Sequence, residues 1–233
     1  MTDELVHYGV KGMRWGVRKN DEGSYPSPAV IEPGLHKKTH EAAQKVTGLI
    51  ADRYGFEVKH VKVLDKSNPD FDPHVAAHVI IDTNTKDNER TIFVQPHDLT
   101  KQLKQMHRAG WMVPGTANHI GLLTHESGHA MLHASQHVVS DGKGGHKVLG
   151  DKVKALDKAL DAALKAADED GRNILGISGY ANAAGVRHEL EAELFSQYHW
   201  AERPPRLVKV WGETLHRELG IDPTPFKEVT NRG

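Results

Sequence analysis

Apolar positions along this chain follow two periodicities. From His36 to Tyr54, Ala43, Val46, Leu49 and Ile50 share one side of a predicted helix that Gly55 closes. Phe56–Val63 alternates like a half-buried strand, Ser67–Pro73 reads as a loop, and Val75–Asp82 and Thr91–Gln95 are further apolar, β-branched runs. The polar segment Thr83–Arg90 separates the last two, so the pattern predicts a small, mainly antiparallel sheet. A helix over Asp98–Arg108 then leads through Trp111-Met112-Val113-Pro114-Gly115 to a second helix with Thr116 as its N-cap. In that helix Ile120, Leu123, Ser127, Met131 and Ala134 draw one largely apolar face. Beyond a glycine-rich stretch, Leu149, Val153, Leu156, Leu160 and Leu164 space a long helix over Val148–Asp170, and Arg187–Trp200 reads as another. The expected fold class is α+β: a small sheet followed by a helical subdomain.

The length of 233 residues admits one sizeable domain with a proper core. A formal net charge of −1 provides no global field that would favour nucleic acid. There is no cysteine, so thiolate zinc sites and disulfides are excluded and any metal falls to His, Asp or Glu. The first residues lack the apolar core of a secretory signal and no run approaches transmembrane length, so no membrane association is expected.

Residues 5–19 combine Trp15, Met13, Tyr8 and basic residues with three glycines, which suits neither helix nor strand. Trp and Arg are interface-anchoring types and glycine permits close backbone approach, so residues 1–19 read as a docking or tail peptide. Residues 20–35, rich in Pro, Gly, Ser and acidic residues, read as a linker to a body over 36–233.

The chemistry concentrates at His125-Glu126-Ser127-Gly128-His129. Two imidazoles one helical turn apart converge on one point and suit a tetrahedral Zn²⁺, while Glu126 lies where it can take a proton from a bound water. With 17 His in the chain, such a match arises by accident in roughly one of a dozen chains of this composition, so context has to support it. Gly128 supplies some: inside a helix it costs about 1 kcal/mol relative to Ala, which a close backbone neighbour would justify. A third protein ligand is required. Leu132 and Ser135 stand where a metzincin would carry its Gly and His, and His133 and His137 run along the helix away from the pair. Downstream, Glu189 and Glu193 share a face one turn apart, with small Ala192 beside them; Glu191 faces away and reads as a solvated charge, and Phe195 and Tyr198 as core.

Two resemblances add to this reading. His7-Tyr8-Gly9, Lys11-Gly12-Met13 and Trp15-Gly16 resemble an N-terminal signature found on assorted proteins of tailed bacteriophages. It implies a location in the virion or host cytoplasm and a phage head or portal protein as partner for residues 5–19. Ser178-x-Tyr180 followed by Glu189-x-x-Ala192-Glu193-x-Phe195 resembles the C-terminal half of gluzincin metallopeptidases of the lethal-factor type, over Thr116–Trp200. The loop between tyrosine and glutamate is two residues longer here, and the segment between the blocks differs. The resemblance implies zinc on His125, His129 and Glu189, Tyr180 in the active site, and a protein or peptide substrate cut with Glu126 as general base. Glu193 is the rival third ligand, or else orients a zinc-bound imidazole. The alternatives are a head-associated structural protein that cuts nothing and a toxin-like effector protease.

Overall fold

Val30–Ile31 (β1), inside the stretch assigned to the linker, pairs with the sheet of the body. The computed structural model describes residues 29–66, 68, 71–82, 89–133, 138–140, 146–148 and 150–230. The N-terminal peptide, Ala134, His137 and Leu149 therefore lie outside the described residues. From β1 the chain enters α1 (Lys37–Tyr54), then β2 (His60–Val63), β3 (Ala77–Asp82), β4 (Glu89–Val94) and α2 (Thr100–Arg108). Next come α3 (His119–Gly128), a π-helical turn at His129–His133, the short hairpin β5 (Val138–Ser140) and β6 (His146–Val148), and α4 (Gly150–Glu169). A 3-10 turn at Ile174–Ile177 precedes α5 (Gly179–Ala184), α6 (Arg187–Trp200), α7 (Arg206–Leu219) and α8 (Phe226–Thr230). No helix among the described residues is long and apolar enough to cross a membrane.

The α+β organisation matches the sequence pattern, but the sheet is mixed rather than mainly antiparallel. Its order is β1-β2-β4-β3, with β1–β2 and β2–β4 parallel and only β3–β4 antiparallel. The helix α1 is the crossover that a parallel β1–β2 pair requires. The long segment after β2 then carries the chain to the outer edge, so that β3 returns β4 into the middle by a hairpin. Of the consecutive strands in this sheet, β2 and β3 thus do not pair, and β3 is left as an edge.

Other boundaries moved for local reasons. Asn118, not Thr116, caps α3: its side chain accepts from the Gly121 N–H at 3.0 Å, while the Thr116 hydroxyl donates to the Val113 carbonyl at 3.1 Å. The stripe on α4 is also rotated. Ala155, Leu156, Ala159, Ala163, Ala166 and Ala167 are buried, whereas Leu164 is 44% exposed. Small alanines let α4 lie close against α7, which offers Leu207, Val208, Trp211 and Leu215. The core runs from Val46, Leu49 and Ile50 of α1 through Ile92 of β4 to Leu194 and Phe195 of α6.

Candidate metal centre

α3 is buried on all sides from Gly121 to Gly128, so it is a central helix rather than the amphipathic one its apolar stripe suggested. It packs between α1 and α6. Where α3 meets α6, a Cβ on Gly128 would stand 3.3 Å from Ala192 Cα and 3.2 Å from Phe195 Cδ1. The glycine and the alanine each permit the approach that their smallness promised. Two hydrogen bonds fix the crossing: Ser196 Oγ donates to the Gly121 carbonyl at 3.0 Å, and Trp200 Nε1 donates to Thr124 Oγ1 at 2.8 Å.

This crossing brings His125, His129 and Glu189 together as one group able to hold a metal ion. His125 Nε2 and His129 Nε2 are 3.0 Å apart, and Glu189 Oε2 lies 3.4 Å from the first and 3.3 Å from the second. A tetrahedral site with metal–ligand bonds of about 2.0–2.2 Å has ligand-to-ligand edges of roughly 3.3–3.6 Å, so the two edges to Glu189 fit as they stand and the 3.0 Å edge between the imidazoles has to open slightly. Glu189 Oε2 is buried and has no hydrogen-bond partner among the described residues, as an atom kept for a cation would be. The second histidine sits on the π-helical turn, whose wider winding begins at His129.

The electrostatics call for positive charge. Burial works against a charged His125, yet contacts with Glu189 and Glu193 and the field of Glu126 hold its pKa well above the ordinary imidazole value. Burial likewise opposes ionisation of Glu189, and His125 and His129 outweigh it, keeping this carboxyl far below its usual range. Three carboxylates around two imidazoles want a proton or a metal in their midst. Glu193 does not compete for that place. Its Oε1 lies 3.0 Å from His125 Nδ1, behind the ring, and Gln197 Nε2 donates to its other oxygen at 3.2 Å. That is the position of an outer carboxylate that orients an imidazole.

Glu126 and Tyr180 line the same cleft of about 590 Å³ as the three candidate ligands. The Tyr180 ring centroid is 5.9 Å from that of His125. Burial, followed by the charges of Glu126, Glu189 and Glu193, raises its pKa, so the hydroxyl stays protonated and able to donate. The remaining wall combines Met106, Met112 and Leu122 with the consecutive residues Val75–Val79. Side chains on a strand alternate between faces, so consecutive residues border a cleft when the strand turns its edge to it. Edge strand β3 does so here.

Sequence reasoning missed several neighbours. Glu191 is only 1% exposed, not solvated: Arg187 Nε donates to its Oε1 at 2.7 Å, and Arg187 Nη2 meets Asp157 of α4 at 2.7 Å. The i,i+4 spacing of Arg187 and Glu191 was the signal. His188 lines the cleft, with its Nε2 3.8 Å from Glu189 Oε1, and nothing in the pattern singled it out. A second group, His36, Asp98 and His119, also has metal-ligand types in reach. Its carboxylate is already engaged, accepting from the Thr100 N–H at 2.9 Å and from Lys38 Nζ at 3.1 Å. Phe195 and Tyr198 are core, as their spacing predicted.

Residues 1–22 match DUF7211, a family of unknown function. No curated protein and no solved structure matches the chain.

Proposed function

We propose that this chain is a zinc-dependent peptidase whose centre is His125, His129 and Glu189. The observation that carries the reading is the triangle of donor atoms with edges of 3.0, 3.4 and 3.3 Å, set in a cleft that also holds an acid–base candidate, Glu126. His and carboxylate donors without sulfur suit zinc in a hydrolytic site. Zinc held there would lower the pKa of a bound water to about 7 and polarise a substrate carbonyl.

The chain's own residues supply the rest. Glu126 takes a proton from the attacking water and returns it to the leaving amine. Tyr180 donates a hydrogen bond to the oxygen on which negative charge develops; donors of this kind are worth about 3–4 kcal/mol. Glu193 holds the His125 ring so that Nε2 faces the centre. The outer edge of β3, beside the cleft, offers backbone groups with which an extended peptide can align as an added strand. The phage-type signature at the N-terminus supports a setting in a phage particle or infected host, where structural proteins or host proteins would be the substrates.

The test replaces Glu126 with Gln. The variant should bind one equivalent of metal with wild-type affinity and lose chelator-sensitive cleavage of casein or of a peptide library. Undiminished cleavage by Glu126→Gln would sink the mechanism. Metal binding without cleavage of capsid proteins, host lysate or peptides by wild type would favour a structural protein that keeps the centre.

A further inference from the structure

Tyr180 stands on α5, a helix of one and a half turns, and so needs outside support to hold a hydroxyl at a reacting atom. The loop from Gly110 to Gly115, between α2 and α3, supplies it. At one end the Gly179 N–H donates to the Gly110 carbonyl at 2.8 Å. A Cβ on Gly179 would meet that oxygen and Trp111 Cα at 3.0 Å, so the two backbones touch because this residue has no side chain. At the other end the Glu202 N–H, just past α6, donates to the Pro114 carbonyl at 3.1 Å. The loop is a splint joining the segments that carry Tyr180 and Glu189.

Within the splint, Met112 turns into the cleft and is buried, whereas Trp111 is 40% exposed. The indole meets the Tyr180 ring edge-on, with centroids 5.5 Å apart at 79°. His125 lies next to that phenol at 5.9 Å. The tyrosine is therefore bracketed between an indole fixed by the loop and a ring of the metal centre. Such edge-to-face pairs are directional as well as attractive.

We propose that Trp111 is a positioning residue that sets the Tyr180 hydroxyl for the developing oxyanion. The inference rests on the peptidase reading above. A displacement of about 1 Å in a group that acts on the transition state costs up to about 100-fold in rate. Trp111→Ala should accordingly lower kcat about 10–100-fold with little change in KM, and Trp111→Phe should restore most of the loss. Because the indole is at the surface, metal affinity and melting temperature should stay at the wild-type values.

The deciding experiment is a double-mutant cycle with Tyr180→Phe, read both as kcat and as the dissociation constant of a phosphinic peptide, a mimic of the tetrahedral state. If Trp111 acts through the phenol, Trp111→Ala adds no further loss of either kind once the hydroxyl is gone. Losses that multiply in the double variant, or a raised KM at constant kcat, would show an indole that touches substrate directly and overturn the proposal. A wild type that neither cuts peptides nor binds the phosphinic peptide defeats the peptidase reading itself, and this inference with it.

Discussion

Two pairs of largely buried histidines sit at opposite ends of α6, in contrasting surroundings. Near its start, His125 and His129 face Glu189, with Glu193 behind His125, and the carboxylates overcome burial to raise the pKa of His125. Near its end, His199 and His216 share the hydroxyl of Tyr54, at 2.8 and 2.6 Å. Among the described residues no carboxylate makes an ion pair with that second pair, and Asp222 acts on His216 only as a weaker, more distant charge. Burial lowers the pKa of His199 well below the ordinary value, with the neighbouring His216 and Arg53 adding to it, and takes His216 down to about 4 through burial and Arg53. The Phe226 N–H donates to His199 Nδ1 at 3.3 Å, so the proton of that ring lies on Nε2 and points at Tyr54. The same residue type, removed from most water at both ends, becomes a cation-seeking centre or a neutral strut according to the acids beside it.

The largest effect expected from breaking this contrast is at Glu189. Glu189→Ala should weaken zinc binding well beyond the roughly 10–100-fold that loss of an outer partner costs, and Glu193→Gln should fall within that range. Calorimetric titration with zinc measures both, and a larger loss at Glu193 would exchange their assigned roles.

The neutral pair is tested with acid. His216 has a folded pKa of about 4 against an ordinary 6.5, so the unfolded chain binds the proton more readily. Its contribution, about 3 kcal/mol, is present above pH 6.5 and is lost as pH falls from there towards 4. Thermal unfolding in a Glu189→Ala background keeps metal release out of the measurement. There His216→Gln should flatten the fall in melting temperature between pH 6.5 and 4, and an unaltered slope would remove the assigned cause. Smallest is Gly128→Ala at the α3–α6 crossing. Overpacking of about 1–3 kcal/mol is offset by about 1 kcal/mol of helix propensity, so a modest net destabilisation should appear in denaturant melts. A stabilised variant would mean that the crossing can relax.

The centre was more legible in the sequence than the frame around it. Imidazoles one turn apart, carboxylates one turn apart, and a glycine and an alanine at the crossing are local signals, and all of them come together where α3 meets α6. The mixed sheet had no such signal. Periodicity reports which face of a strand is buried but is silent about its partner, and two-residue β1 is too short to alternate. Burial of Glu191 depends on Arg187 and on Asp157 of a distant helix. The alanine face of α4 looked weaker than its leucine stripe because sequence hydrophobicity ignores how closely two helices can approach. The splint carrying Trp111 lies in a loop, where no period exists to read.

The order of the segments along the chain has a consequence for synthesis. The imidazoles on α3 and the turn after it leave the ribosome long before α6, and until α6 has docked they have no Glu189 or Glu193 beside them. On the peptidase reading proposed above, a nascent chain is therefore unarmed until α6 has been made and docked.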